Sequence, residues 1–186
     1  VGFDPNPAGR STRLTGLLVD REFGLAAWQP AWLVAVPALA ALATRPPRRA
    51  PFLLVPAAAG WLNATFVALT MHGWWWPGRQ VVVVLPLIVV AVAGWAGAAR
   101  GHLRWATGLG VAGIFSWAWL TYEVLARRLT LIVDFYETSN PLYRAWSSIL
   151  PGYRTPTMET WILHTLWIAL VAAGLWWGRT FAARRP

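Results

Sequence analysis

Five apolar stretches divide this chain of 186 residues. They run over about Leu25–Ala43, Pro51–Met71, Val81–Ala99, Trp105–Ala126 and Thr160–Gly178. A helix rises about 1.5 Å per residue, so about 20 residues cross the hydrocarbon core of a bilayer. Each stretch is close to that length. Backbone polar groups in lipid must be satisfied within the segment, and a helix does this alone. The expected fold class is therefore all-α: a polytopic integral membrane protein with about five transmembrane helices and extracytoplasmic amphipathic helices. Composition agrees. Only 12% of the residues are charged, against about 25% in a soluble domain, too few to cover a core with polar surface.

The stretches carry few interruptions. Pro30 and Pro37 predict kinks in the first. Asn63-Ala64-Thr65 matches a glycosylation sequon but lies inside the second, where Asn63 fits a hydrogen bond to a neighbouring helix. Gly94 and Ala98, like Gly97 and Gly101, stand four apart, a spacing that lets helices approach closely. Glu123 and Arg127 have the i, i+4 spacing of an ion pair. His164 lies inside the last stretch as a candidate interhelical partner.

The intervening segments complete the organisation. Residues 1–24 form a lead-in, with Leu14, Leu17 and Leu18 at the spacing of an interfacial helix. Residues 25–126 hold four transmembrane helices and the loop 72–80. Residues 127–158 form a long polar loop, in which Asn140-Pro141 predicts a second interfacial helix. Residues 159–186 are the last helix and a basic tail. The chain begins Val1-Gly2-Phe3 and reads as the later part of a longer polytopic chain.

Charge sets the expected orientation. All 16 basic residues are arginine, and with 7 acids the net charge is +9. Arg45, Arg48, Arg49, Arg100, Arg104, Arg179, Arg184 and Arg185 fall in short segments with no acid. Asp4, Asp20, Glu22, Glu123, Asp134, Glu137 and Glu159 all fall toward the opposite side. The dense, acid-free side is expected to be cytoplasmic, which leaves loops 72–80 and 127–158 extracytoplasmic. The arginine excess thus reads as topological, with no nucleic-acid partner.

Cysteine is absent, which removes disulfides and thiolate chemistry. His72, His102 and His164 are too dispersed for a metal site. No phosphate loop, dinucleotide turn or serine elbow is present. The densest cluster of useful side chains is His72-Gly73-Trp74-Trp75-Trp76-Pro77-Gly78-Arg79. Trp74, Trp75 and Trp76 fit an aromatic belt at headgroup level, or a surface on which sugar rings stack. Arg79 fits snorkelling to headgroups, or a bidentate grip on phosphate at the start of a helix. With His72 they are candidate substrate-binding residues. Asp20, Arg21 and Glu22 are read either as a general base with its charge partner or as the solvated face of a surface helix. Asp134, Tyr136 and Glu137 are candidates for the same outer cavity. No residue is assigned as catalytic.

The run Gly16-Leu17-Leu18-Val19-Asp20-Arg21-Glu22-Phe23-Gly24-Leu25, followed by Gln29-Pro30-Ala31-Trp32-Leu33, resembles a stretch of bacterial membrane glycosyltransferases of the mannosyltransferase-like type. These polytopic GT-C-fold enzymes are related to dolichyl-phosphate-mannose mannosyltransferases and aminoarabinose transferases. The run His72–Arg79 leading into Leu85-Pro86-Leu87 resembles their tryptophan–glycine–arginine loop before a late transmembrane helix. Asp134-Phe135-Tyr136, Pro141-Leu142-Tyr143-Arg144 and Leu150-Pro151 resemble their C-terminal portion.

The resemblance implies transfer of a sugar from a polyprenyl-phosphate donor to a cell-envelope acceptor, on the outer face of a bacterial plasma membrane. The implied partners are membrane lipid, that donor, and the remainder of a longer chain. The family's catalytic carboxylate lies in its first extracytoplasmic loop, to which nothing here corresponds. The metal or cofactor requirement is left open. The alternatives are a non-catalytic membrane scaffold and a transporter or lipid-flippase module. The few polar residues within the apolar stretches disfavour a transport path.

Overall fold

The computed structural model describes residues 7–44, 46–67, 78–130 and 135–183. Every regular element among them is helical. The chain opens with α1 (Pro7–Arg10) and α2 (Arg13–Val19). Arg10 donates to the Phe66 carbonyl at 2.6 Å, and the Trp61 indole donates to the Leu14 carbonyl at 3.0 Å. These bonds tie the lead-in to a later helix. Leu14 faces outward, while Leu17, Leu18 and Val19 are buried. The expected interfacial helix is thus short, and one side of it belongs to the core.

The first apolar stretch is not one helix. It divides into α3 (Leu25–Trp28), a 3-10 turn (Pro30–Val34) and α4 (Ala35–Thr44). Proline forces the residue before it out of the helical region, and Gln29 is extended, with φ −134° and ψ 88°. Pro37 falls in the first turn of α4, where a missing N–H costs little. Next, α5 (Pro51–Phe66) starts with Pro51 at its first position. The third stretch begins with a 3-10 turn (Arg79–Val81), and its helix α6 (Leu85–Ala96) is only 12 residues long.

The basic segment 100–104 begins α7 (Arg100–Leu125), 26 residues long. The reversal falls just before it, at Ala99, with φ −157° and ψ 147°. His102 pins that corner: its ring stacks on Trp95 at 3.7 Å, and Nδ1 donates to the Trp95 carbonyl at 3.0 Å. At the far end, Arg127 takes φ 55°. Arg127 N–H bonds the Val124 carbonyl, and Arg128 N–H the Glu123 carbonyl. This is a Schellman stop with arginine where glycine is usual. Arg127 therefore serves as a helix terminator, and the Glu123 carboxylate takes partners other than the ion pair its spacing predicts.

Asn140 begins α8 (Pro141–Ser147), its side chain accepting from Leu142 N–H and Tyr143 N–H. The last helix, α9 (Met158–Ala183), packs chiefly on α4. Gly178 makes that approach possible, since a Cβ there would meet the Pro37 carbonyl and Ala40. By contrast, a Cβ on Gly94 or Gly101 would meet nothing nearby. Among the described residues, Gly94 and Gly101 therefore make no close approach to another helix.

Among the described residues, α9 alone is long and apolar enough to cross a membrane by length and composition. The apolar helices Pro30–Thr44, Pro51–Phe66 and Leu85–Ala96 are shorter. The all-helical class is observed, whereas helix length does not by itself yield five spans. Large apolar side chains face outward in number: Phe52 is 81% exposed, Leu125 80% and Trp117 68%. Asn63 is also exposed, so it is not an inward bridge to a neighbouring helix.

Candidate functional site

The largest buried cluster lies where residues 18–28 meet residues 135–150 and the first half of α9. Asp20 organises the first of these segments. One carboxylate oxygen accepts from Glu22 N–H at 2.9 Å and Phe23 N–H at 2.7 Å, which turns the chain out of α2. The other accepts from Tyr153 N–H at 3.2 Å. Asp20 is 1% exposed, so it lies neither on a solvated face nor open to a substrate. It is a staple between two distant segments. Gly24 sits against it, and a Cβ there would collide with the Asp20 backbone.

Arg21 bolts the two segments together from the other direction. Its Nε donates to the Ser147 carbonyl at 2.9 Å and the Leu150 carbonyl at 3.1 Å. One terminal nitrogen pairs with Glu159 at 3.2 Å. The Tyr143 hydroxyl donates to the Arg21 carbonyl, and the Trp146 indole to the Ala26 carbonyl. Glu123, expected near the outer end of its stretch, receives the hydroxyls of Thr138 and Ser139 and the Ser139 N–H. The 3-10 turn Phe135–Glu137 is fixed by Phe135, which is wholly buried, with ring centroids 5.6 Å from Phe23 and 5.4 Å from Trp28.

Above this framework lies a polar cleft of about 270 Å³, lined by Arg21, Glu22, Tyr136, Glu137, Tyr143 and Arg144 among others. Arg154 closes one edge, donating to the Tyr136 hydroxyl at 3.0 Å and reaching Glu22 at 3.5 Å. The Tyr136 bond, more than the charge of Glu22, holds the Arg154 guanidinium above its ordinary pKa. Burial, reinforced by Glu22 and Asp20, pushes the Tyr143 phenol well above its usual range, so it remains a hydrogen-bond donor. Burial likewise pushes Tyr153 up to about 12, with Asp20 adding to the shift and a hydrogen bond from Thr15 opposing it.

A second cleft has a volume of about 390 Å³. Trp28, Gln29, Trp32, Gly78, Arg79 and Leu85 line it. Gly78 adopts φ 79°, which brings the chain over Leu25 and delivers Arg79 to the cleft. Arg79 is exposed. The Trp28 ring, which lines the second cleft, stacks at 4.2 Å and 18° on Tyr143, which lines the first, so one aromatic pair links the two clefts.

The fold thus brings Arg21, Tyr136 and Glu137 into one cleft, places Arg79 in its neighbour and puts Asp20 beneath as support. His72, Trp74, Trp75, Trp76 and Asp134 lie outside the described residues. Glu22, considered with Asp20 and Arg21, also lines the first cleft, whereas Trp28, Trp32, Tyr143, Arg144 and Arg154 were not among the candidate site residues. Trp28 and Trp32 stand at i, i+4 around Gln29-Pro30, a spacing easily taken for ordinary core. Among the described residues no three His, Asp or Glu side chains converge to hold a metal. No protein-family model, curated protein or solved structure matches this chain.

Proposed function

We propose that the chain is the C-terminal membrane part of a glycosyltransferase that uses a polyprenyl-phosphate-linked sugar at the outer face of a bacterial plasma membrane. The observation that carries this reading is the pair of clefts, one lined by Tyr143 and the other by Trp28, linked by the stacking of those two rings. A lipid-linked sugar is apolar at one end and polyhydroxylated at the other, with phosphate between. The cleft of Trp28 and Trp32 suits the prenyl chain, with Arg79 beside it for the phosphate. The cleft of Glu22, Tyr136, Glu137 and Arg144 offers donors and acceptors to sugar hydroxyls. Outward-facing aromatic and aliphatic side chains support placement in lipid. The resemblance of residues 16–33, 72–87 and 134–151 to membrane mannosyltransferases supports the reaction class.

In this reaction the acceptor oxygen attacks the anomeric carbon of the sugar. The bond from that carbon to the phosphate oxygen breaks, and polyprenyl phosphate leaves with the electron pair. The acceptor proton passes to a carboxylate contributed by the remainder of the longer chain. Asp20 and Glu123 are not that base, since both spend their oxygens on the fold.

Arg79→Ala in the full-length protein tests the reading. It is expected to abolish sugar transfer from the lipid donor while leaving membrane insertion intact. Undiminished transfer removes Arg79 from the site.

A further inference from the structure

We propose that the gap between α4 and α5 is a binding site for an anionic phospholipid, with an acyl chain along the two helices and its phosphate at Arg49 and Arg179. The inference rests on the membrane placement argued above and is independent of sugar transfer. Although α4 and α5 are consecutive, they scarcely touch: α4 packs on α6 and α9, and α5 on α2 and α6. The space between them is a cavity of about 550 Å³ whose walls include Leu39, Leu54, Ala58, Trp61, Val171 and Leu175. Its lining runs from Ala35 to Ala43 on α4 and from Val171 to Arg179 on α9. Each run is about 12 Å of helix, so the groove is elongated along the helix axes. A second cavity, of about 510 Å³, is lined by other residues of α4, α5 and α9 and has Arg49 and Trp95 in its lining. The Trp95 indole N–H is buried and has no acceptor among the described residues.

Two properties select the occupant. The walls are apolar, so a hydrocarbon chain fills the groove and a soluble anion does not. Arg48, Arg49, Arg100, Arg104 and Arg179 are exposed in the segments that meet at this end. None has a carboxylate partner among the described residues. Asp20, Glu22, Glu123, Glu137 and Glu159 are all engaged with the clefts at the other end or with the segments that frame them. Arg179 lies 20 residues along α9 from Glu159, about 30 Å away. An amphiphile with an anionic head satisfies both properties, as basic pockets between membrane helices do for acidic lipids. The proposed sugar donor is a different occupant, because its phosphate belongs at Arg79.

Native mass spectrometry of the full-length protein in mild detergent, with phosphatidylglycerol or phosphatidylcholine added separately, tests this. Phosphatidylglycerol should be retained at least tenfold better. The paired change Arg49→Gln and Arg179→Gln should erase that preference, and Arg49→Lys with Arg179→Lys should keep it. Ala58→Phe, which fills the groove, should lower retention of both lipids while circular dichroism reports an unchanged helical fold. Equal retention of the two lipids by the unaltered protein overturns the proposal, as does full retention by the glutamine variant. Equal retention of the two lipids by unaltered protein that still transfers sugar overturns this inference alone. Release of the protein from membranes by an alkaline wash without detergent overturns the membrane placement and this inference with it.

Discussion

Asp20 shows how a single residue's chemistry depends on which partners reach it. A carboxylate beside arginine and a second carboxylate is a reasonable base, but here its oxygens accept three backbone N–H groups from residues 22, 23 and 153. Its charge also acts on Tyr153, whose phenol burial has already pushed up to about 12. A tyrosine's unfolded value is about 10. The folded protein therefore holds the proton where the unfolded chain has lost it. This contribution to stability is complete below about pH 10 and disappears as pH rises through about 12. Phenolate absorbance during an alkaline titration should show Tyr153 ionising late, together with Tyr143. Tyr153→Phe should remove one late-ionising phenol and reduce the loss of thermal stability in that pH window. Titration of Tyr153 at the value of a free phenol would refute the shift.

At the scale of elements, the α4–α9 contact governs how the helices assemble. Gly178 allows the Pro37 carbonyl and Ala40 to lie against α9, and Gly174 faces Val36 one turn earlier. A side chain at Gly178 must displace backbone, which costs about 1–3 kcal/mol or separates the helices. Gly178→Leu should therefore lower the melting temperature in detergent. Gly110→Leu is the control, because a Cβ there meets nothing. Leucine also has the higher helix propensity, so this variant should be neutral or stabilised by about 0.5–1 kcal/mol. Equal melting temperatures for the two variants would remove Gly178 from the packing account.

For the whole molecule, the outward hydrophobic surface and the separation of carboxylates from the acid-free arginine segments agree with a chain inserted with one fixed orientation. The absence of cysteine makes this directly measurable, because any introduced thiol is the only one in this chain. A membrane-impermeant maleimide applied to intact cells should label Glu137→Cys and should label Arg48→Cys only after permeabilisation. Labelling of both before permeabilisation, or the reverse order, would discard the proposed orientation.

The helical class was legible because apolar runs with few charges leave the backbone little alternative to bonding itself internally. Local chemistry was legible too: Asn140-Pro141 begins α8, and Pro30 interrupts the first stretch. The acids could be separated from half of the arginines by position in the sequence alone. What sequence spacing did not decide was which members of each pattern would be used. Gly178 and Gly94 follow the same small-residue logic, yet only Gly178 faces a neighbouring helix. Glu123 stands four residues from Arg127 but bonds to Thr138 and Ser139, because the Schellman stop turns the backbone there. The stacking of Trp28 on Tyr143 joins residues 115 positions apart. Spacing within a helix says which residues share a face. Which face meets which partner depends on long-range packing, and that is why the two clefts and the groove between α4 and α5 became visible only in the folded chain.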